Sequence, residues 1–316
     1  MKQAISVFIF LYVPLHIYAQ TDVAQHCKVN LANDTLVLEN KVTKHYYRWN
    51  KGNIALTKIE NKDGVQLKFQ PDKKGDLSLF SDLPDAEDGR LTQNINRLSQ
   101  RDEPYLEVSI NYSLGSLQIL HMIKVFPESP LLSHHFYLKG VADTTWASLP
   151  RQNNLDMIEK NQPRPIEEQY IANLGFINPH WTLKIIDFKE ATDHNNTLVQ
   201  ENKYLAYNKI YYLSGNIGIG TNPAHKASLI ILKESPISSS QHDYRGADFA
   251  LHTSGLKVLG LGITKEDLNE QNWIRGYGFA LGISGTAELD QLSAIRRYQK
   301  SERTLLPDRD ELSLSN

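Results

Sequence analysis

Residues 105–126 have the sequence YLEVSINYSLGSLQILHMIKVF, and this stretch decides the fold class. Apolar and polar side chains alternate on both sides of Gly115-Ser116. Alternation with a period of two is typical of strands that bury one face. A glycine-containing pair between two such runs favours a tight hairpin. The stretch therefore predicts two adjacent antiparallel strands, each with one face in a core.

Similar short runs occupy most of the chain between residues 33 and 279. Turn sequences such as Asn50-Lys-Gly-Asn53 and Asn61-Lys-Asp-Gly64 separate the first of them. The proline-interrupted segment from Asp143 to Thr197 predicts an irregular excursion. Strands do not alternate regularly with helices, which argues against a doubly wound parallel sheet. We predict an all-β fold, a large antiparallel supersandwich of two sheets that cover each other's apolar faces.

One helix is predicted to close this domain, over Thr286–Lys300. Apolar side chains recur there at three-residue steps, as expected of a surface helix that lies on a core: Leu289, Leu292, Ile295 and Tyr298. Pro307 then prevents further helix, and Leu312-Ser-Leu-Ser315 begins like a strand.

Composition and the N-terminus limit the function classes. A formal net charge of −2 over 316 residues gives no electrostatic basis for binding nucleic acid or an anionic membrane. The apolar segment that follows Lys2 is too short to span a bilayer and indicates a signal peptide ending near Ala19. We therefore expect a secreted or periplasmic protein without a membrane span after cleavage. Cys27 is the only cysteine, which excludes an internal disulfide.

The C-terminal region and the upstream sequence Trp273-Ile-Arg-Gly-Tyr-Gly-Phe-Ala-Leu-Gly282 resemble the domain junction of α-galactosidase (melibiase-like) glycoside hydrolases. In that family a galactose-mutarotase-like β-supersandwich leads through a linker helix into a catalytic (β/α)8 barrel. With the signal peptide at 1–19 set aside, the resemblance implies a supersandwich at 20–283 and a linker helix with the start of a missing barrel at 284–316. It also implies that the partner of this chain is that barrel and that the substrate is a carbohydrate.

No catalytic residue, metal or cofactor is predicted in this chain. The family's catalytic aspartates lie on later barrel strands, and the sequence cannot pair the carboxylates present, among them Asp248, Asp290, Asp308, Asp310 and Glu311. His134 and His135 are adjacent, so in a strand they point to opposite faces and cannot share one ion. We expect one of them in a core or cleft and the other in solvent, and we expect His121 to be a buried, hydrogen-bonded histidine.

Sugar contact is predicted for two places. Trp273, Arg275 and Tyr277 occupy alternate positions, so an extended backbone would point all three to one side. Trp181 is the second candidate. Aromatic faces stack on pyranose rings while arginine binds hydroxyls, but the same aromatics would also serve to pack against the barrel.

Two other functions remain open at this stage. A stand-alone carbohydrate-binding or surface interaction protein would show glycan affinity and a closed C-terminal surface. A mutarotase-type enzyme would need a carboxylate beside His121, His134 or His135. A hydrolase module predicts instead an exposed apolar patch for the barrel, including Leu312 and Leu314.

Overall fold

A computed structural model describes residues 23–71, 75, 85–96, 103–141, 170–188, 199–236 and 247–302. The predicted signal peptide and the segment after Glu302, with Asp308, Asp310, Glu311, Leu312 and Leu314, lie outside these residues. The strands are β1 (Lys28–Ala32), β2 (Thr35–Glu39), β3 (Thr43–Arg48), β4 (Ala55–Asn61), β5 (Gln66–Lys68), β6 (Ala86–Asn96), β7 (Tyr105–Leu114), β8 (Leu117–Val125), β9 (Leu131–Gly140), β10 (Tyr170–Gly175), β11 (Thr182–Phe188), β12 (Val199–Leu205), β13 (Tyr211–Leu213), β14 (Ile217–Thr221), β15 (Ser228–Glu234), β16 (Phe249–His252), β17 (Gly255–Leu259), β18 (Ile274–Arg275) and β19 (Gly278–Ser284). Helix α1 is Glu288–Glu302, and a short 3₁₀ helix covers Lys265–Asp267.

The strands form three antiparallel sheets. A ten-stranded sheet has the order β12-β11-β14-β15-β19-β9-β8-β7-β6, with β18 paired to β9. A five-stranded sheet has the order β1-β2-β3-β4-β5, and a four-stranded sheet has the order β10-β17-β16-β13. An antiparallel bridge between Phe69 and Phe176 joins the two smaller sheets. They thus form one layer of the molecule.

The predicted hairpin in residues 105–126 is confirmed. Strands β7 and β8 pair from Leu106–Val125 to Leu114–Leu117, directly across the Gly115-Ser116 turn. Along β8, buried and more exposed side chains alternate, as the sequence pattern requires.

One apolar core lies between the two layers. Leu38, Leu56 and Phe249 of the smaller sheets and Ile123, Phe136 and Leu281 of the large sheet belong to a single buried cluster. The predicted all-β sandwich class is therefore confirmed, with one layer made of two joined sheets. Among the described residues, no helix is long and apolar enough to cross a membrane.

Helix α1 is present as predicted, but its buried face differs from the predicted stripe. Ile295 and Tyr298 are buried against the outer face of the large sheet. Leu289 and Leu292 are 72% and 41% exposed. The helix instead turns Gln291 and Ala294 towards the sheet, because the Gln291 amide donates a 3.0 Å hydrogen bond to Ser228 Oγ on β15.

Two further differences concern strands. The segment predicted as an irregular excursion contains β10 and β11, which belong to different layers. Strand β6 was not predicted, because its sequence AEDGRLTQNIN is mostly polar. It lies at the edge of the large sheet, where both of its faces can meet solvent.

Candidate functional site

Strand β9 builds the polar centre of the molecule by pointing adjacent histidines to opposite faces of the large sheet. His134 stacks on Phe279 in the core, with ring centroids 4.6 Å apart. His135 lies on the outer face, where its Nε2 is 2.9 Å from Ser133 Oγ. The predicted divergence of the two side chains is confirmed. The expectation that one of them meets solvent is wrong, since they are 1% and 2% exposed.

The inner histidine belongs to a buried hydrogen-bonded group that we call the histidine network: His45, Tyr47, His121 and His134. Tyr47 Oη is 3.2 Å from both His45 Nδ1 and His134 Nε2. His134 Nδ1 is 3.0 Å from His121 Nε2. The network ties β3 of the five-stranded sheet to β8 and β9 of the large sheet. His121 is thus the satisfied buried histidine that the sequence predicted.

The histidine network is uncharged at neutral pH. Burial lowers the pKa of His45 and of His121 to about 3, and it holds the pKa of His134 well below 6.5. His45 Nε2 has no hydrogen-bond partner among the described residues, so a charged imidazole would carry an unsatisfied N–H there. A neutral, inward-facing group of this kind stabilises the layer contact and offers no access to substrate.

The outer histidine belongs to a second group, between the large sheet and α1, which we call the outer cluster: Lys124, His135, Glu234, Arg275, Tyr298 and Glu302. The hydroxyl of Tyr298 donates to Glu234 Oε1. Glu234 Oε2 is 3.5 Å from His135 Nδ1, and Lys124 Nζ is 2.5 Å from Glu302 Oε1. Strands β8, β9, β15 and β18 and the last turns of α1 each supply one or more of these residues.

Burial controls the ionisation of the outer cluster. It lowers the pKa of His135 to about 3, and the positive charges of Lys124 and Arg275 act in the same direction. It raises the pKa of Glu234, and the hydrogen bond from Tyr298 opposes this shift. At neutral pH the imidazole is therefore uncharged, and Lys124 and Arg275 stand beside the two carboxyl groups.

The outer cluster contains groups of the kinds found in metal sites, in carboxylate pairs of glycosidases and in mutarotase-type enzymes. The nearest ligand atoms of His135, Glu234 and Glu302 lie within 4.8 Å of one another, a spacing that suits a metal ion or a pair of catalytic carboxylates. However, Glu302 is already paired with Lys124. Glu234 is bound by Tyr298. The His135–Glu234 pair meets the requirement for a mutarotase-type acid and base, but it lies under α1 with side chains 3% and 26% exposed. The contacts present are those of an anchor for the helix.

The three residues predicted to bind sugar together lie in different surroundings. Trp273 is 40% exposed. Arg275 is also exposed and reaches the outer cluster, with one guanidinium nitrogen 3.4 Å from His135 Nδ1. Strands β18 and β19 both pair with β9, at Arg275–Tyr137 and at Phe279–His134. Between these two pairs the register shifts by one residue. The ring of Tyr277 packs on Gly262.

The second predicted sugar residue, Trp181, is part of the core. It is 2% exposed, its ring stacks on Phe176 at 4.5 Å between centroids, and Gly220 lies against the same ring. A pyranose therefore has no open indole face on which to stack. Only the margin of the ring reaches a cavity of about 300 Å³, which is also lined by Asn178 and His225.

Asp248, one of the carboxylates noted in the sequence, has a structural role. Its Oδ1 is 2.6 Å from Lys233 Nζ, and its Oδ2 accepts a 2.9 Å hydrogen bond from the Gly215 amide. Both charged side chains are buried, at 1% and 0% exposure. The ion pair links β15 of the large sheet to the start of β16 in the four-stranded sheet.

Sequence reasoning missed Lys124, Glu234 and Glu302, which complete the outer cluster. Glu302 follows Tyr298 by four residues, so helical spacing alone could have placed them on one face. Nothing local connects them to Lys124 or Glu234, which come from strands far away in sequence.

No protein-family model matches the chain, and no curated protein sequence matches it. Its fold is similar to that of several solved α-galactosidases. The Lactobacillus brevis enzyme has a TM-score of 0.52 at 11% identity, over 86% of this chain and 42% of the enzyme. A variant of AgaA, a GH36 α-galactosidase of Geobacillus stearothermophilus, has a TM-score of 0.52 at 5% identity, over 84% of this chain and 43% of the enzyme. AgaB, a GH36 α-galactosidase of the same organism, has a TM-score of 0.51 at 6% identity, over 86% of this chain and 42% of the enzyme. The chain thus spans less than half the length of these enzymes.

Proposed function

We propose that this chain is the non-catalytic N-terminal domain of a secreted, α-galactosidase-like glycoside hydrolase. The observation that carries the proposal is the shared fold, since three α-galactosidases match 84–86% of this chain over 42–43% of their own length. The proposed role is to hold a catalytic (β/α)8 barrel, which supplies the catalytic aspartates. Fold alone does not fix activity, so the activity belongs to the experiment below.

The anchoring of α1 supports this role. The helix is held along its length, by Gln291 to Ser228 near its start and by the Lys124–Glu302 pair at its end. A salt bridge of 2.8 Å between Arg297 and Glu128 adds a contact at the sheet margin. A helix fixed in this way leaves the sandwich in one direction, which is what a rigid link to a second domain requires.

The free face of α1 supports the same role. Leu289 and Leu292 lie one turn apart and point away from the sheet, so an adjoining domain could bury them. Complete burial of an exposed leucine side chain contributes about 1.5–3 kcal/mol. Leu292 is partly covered already, so Leu289 would contribute most of the gain.

The proposal is tested by joining the chain to the barrel that its own reading frame or a neighbouring gene encodes. We expect the joined protein to hydrolyse p-nitrophenyl α-galactopyranoside and the isolated chain to be inactive. Changing both Leu289→Ser and Leu292→Ser should lower the stability of the joined protein by more than that of the isolated chain. Leu31→Ser with Ile177→Ser, at exposed apolar positions elsewhere, is the matched control.

A joined protein that folds but does not hydrolyse the galactoside would overturn the proposed enzyme class. Equal effects of the helix pair and the control pair would overturn the assignment of α1 as the docking face. Glycan binding by an inactive joined protein would favour the stand-alone carbohydrate-binding protein instead.

A further inference from the structure

The four-stranded sheet carries a polar row on the face that points away from the core. Asn173 pairs with Lys257, Lys257 with Ala250, and Ala250 with Tyr212, so one row crosses all four strands. Directly paired residues place their side chains on the same face of a sheet. Each row residue is followed or preceded along its strand by a core residue, which leaves this row on the outside; these core residues are Leu174, Leu256, Phe249 and Leu213.

The outer face is hollow along its middle. Ala250 and Gly255 form a low floor, with Ile210 and Tyr212 on one side and Lys257 on the other. The hollow encloses about 160 Å³. We call it the trough; its lining is Asn173, Ile210, Tyr212, Ala250, His252, Ser254, Gly255, Lys257 and Leu259.

The charged lining of the trough is cationic. The Ser254 backbone amide donates to His252 Nδ1 at 3.1 Å, and Ser254 Oγ lies 2.7 Å from the same nitrogen, so these contacts hold the imidazole ring in place. Lys257 Nζ lies 4.6 Å from the centroid of the Tyr170 ring, a cation–π contact that positions the ammonium group. Asn173 adds an amide. None of the residues that line the trough is an aspartate or a glutamate.

We propose that the trough binds one pyranose unit of an acidic glycan, a hexuronate. The apolar face of the sugar ring would lie on Tyr212 or Ile210, and its carboxylate would accept hydrogen bonds from Lys257 and from Asn173 or His252. The lining holds the Lys257 ammonium group and no carboxylate, so it attracts the negative charge of a hexuronate, whereas a neutral sugar offers no charge to pair with that lysine. The inference rests on the trough alone and holds whether or not the chain belongs to a hydrolase.

Isothermal titration of the full chain with trigalacturonate, triglucuronate and the neutral trisaccharide of β-1,4-galactose tests the inference. We expect at least one acidic trisaccharide to bind about tenfold more tightly than the neutral one. Lys257→Met should weaken that binding about tenfold or more, and raised salt should weaken it as well, because the contact is between charges. Lys203→Met, on an exposed lysine of β12, is the matched control and should leave binding unchanged.

Thermal unfolding of each variant shows whether it is folded, and Tyr212→Ala supplies a second trough variant that leaves the charge intact. The inference is overturned if neither acidic trisaccharide binds, or if the neutral one binds equally well. It is also overturned if the folded Lys257 and Tyr212 variants bind the acidic trisaccharide as the unaltered chain does.

Discussion

Acidification should unfold this protein, because its buried histidines cannot take up protons while the sandwich is intact. The pKa values of His45, His121 and His135 are held at about 3, and that of His134 lies well below 6.5. An unfolded histidine has a pKa of about 6.5. The unfolded chain therefore binds more protons below pH 6.5. Stability is complete above that pH and is lost as the pH falls towards 3.

The size of the effect follows from the three histidines whose pKa is about 3. Between pH 7.5 and pH 5, each of them lowers the free energy of unfolding by about 2 kcal/mol, or about 6 kcal/mol together, and His134 acts in the same direction. Glu234 opposes them, because its raised pKa lets the folded state bind a proton in part of the same range. The contribution of the three histidines alone, about 6 kcal/mol, is comparable to the whole stability of a typical domain.

Urea denaturation from pH 7.5 to pH 5 measures this loss as a fall in the free energy of unfolding. Potentiometry should show an uptake of about three to four protons per chain on unfolding near pH 5.5. His121→Leu should reduce the uptake by about one proton. An uptake of one proton or fewer by the unaltered chain would refute the reasoning, since it would mean that the buried histidines titrate in the folded state.

Two substitutions test other contacts by urea denaturation at pH 7.5. Lys233→Met should destabilise the fold by about 3–5 kcal/mol, because it removes the cation that pairs with the buried Asp248 carboxylate. Adding Asp248→Leu to this variant should recover most of the lost stability. A loss below about 1 kcal/mol for Lys233→Met alone would contradict a buried ion pair. Gly262→Ala should lower the free energy of unfolding by more than Gly64→Ala does. Both glycines have a positive φ (+73° and +78°), but only at Gly262 would the added Cβ meet another group, the Tyr277 ring at 2.3 Å. Equal costs for the two glycine changes would argue against tight packing at Tyr277.

The sequence predicted those features that local patterns determine. Period-two alternation located β7 and β8, and the spacing of apolar residues located α1 within about two residues. The buried face of α1 could not be derived in the same way. Leu289 looks like a core residue, yet the contact of Gln291 with Ser228 on β15 decides how the helix is rotated.

The candidate site depended even more on distant contacts. Adjacent histidines in a strand had to diverge, so the separation of His134 and His135 followed from backbone geometry alone. That His135 is buried followed from α1 covering the outer face, and its carboxylate partner Glu234 comes from β15. The contact of the Tyr277 ring with Gly262 could not be derived either, because the one-residue register shift beside it is not visible in an alternating sequence.

The central claim is that this sandwich belongs with a catalytic barrel. The most direct test is the nucleotide sequence that follows the codon for Asn316, translated in all three forward frames. The account predicts a (β/α)8 barrel there, with a pair of aspartates on its later strands. Unrelated sequence in all three frames would contradict it and would favour a stand-alone carbohydrate-binding protein.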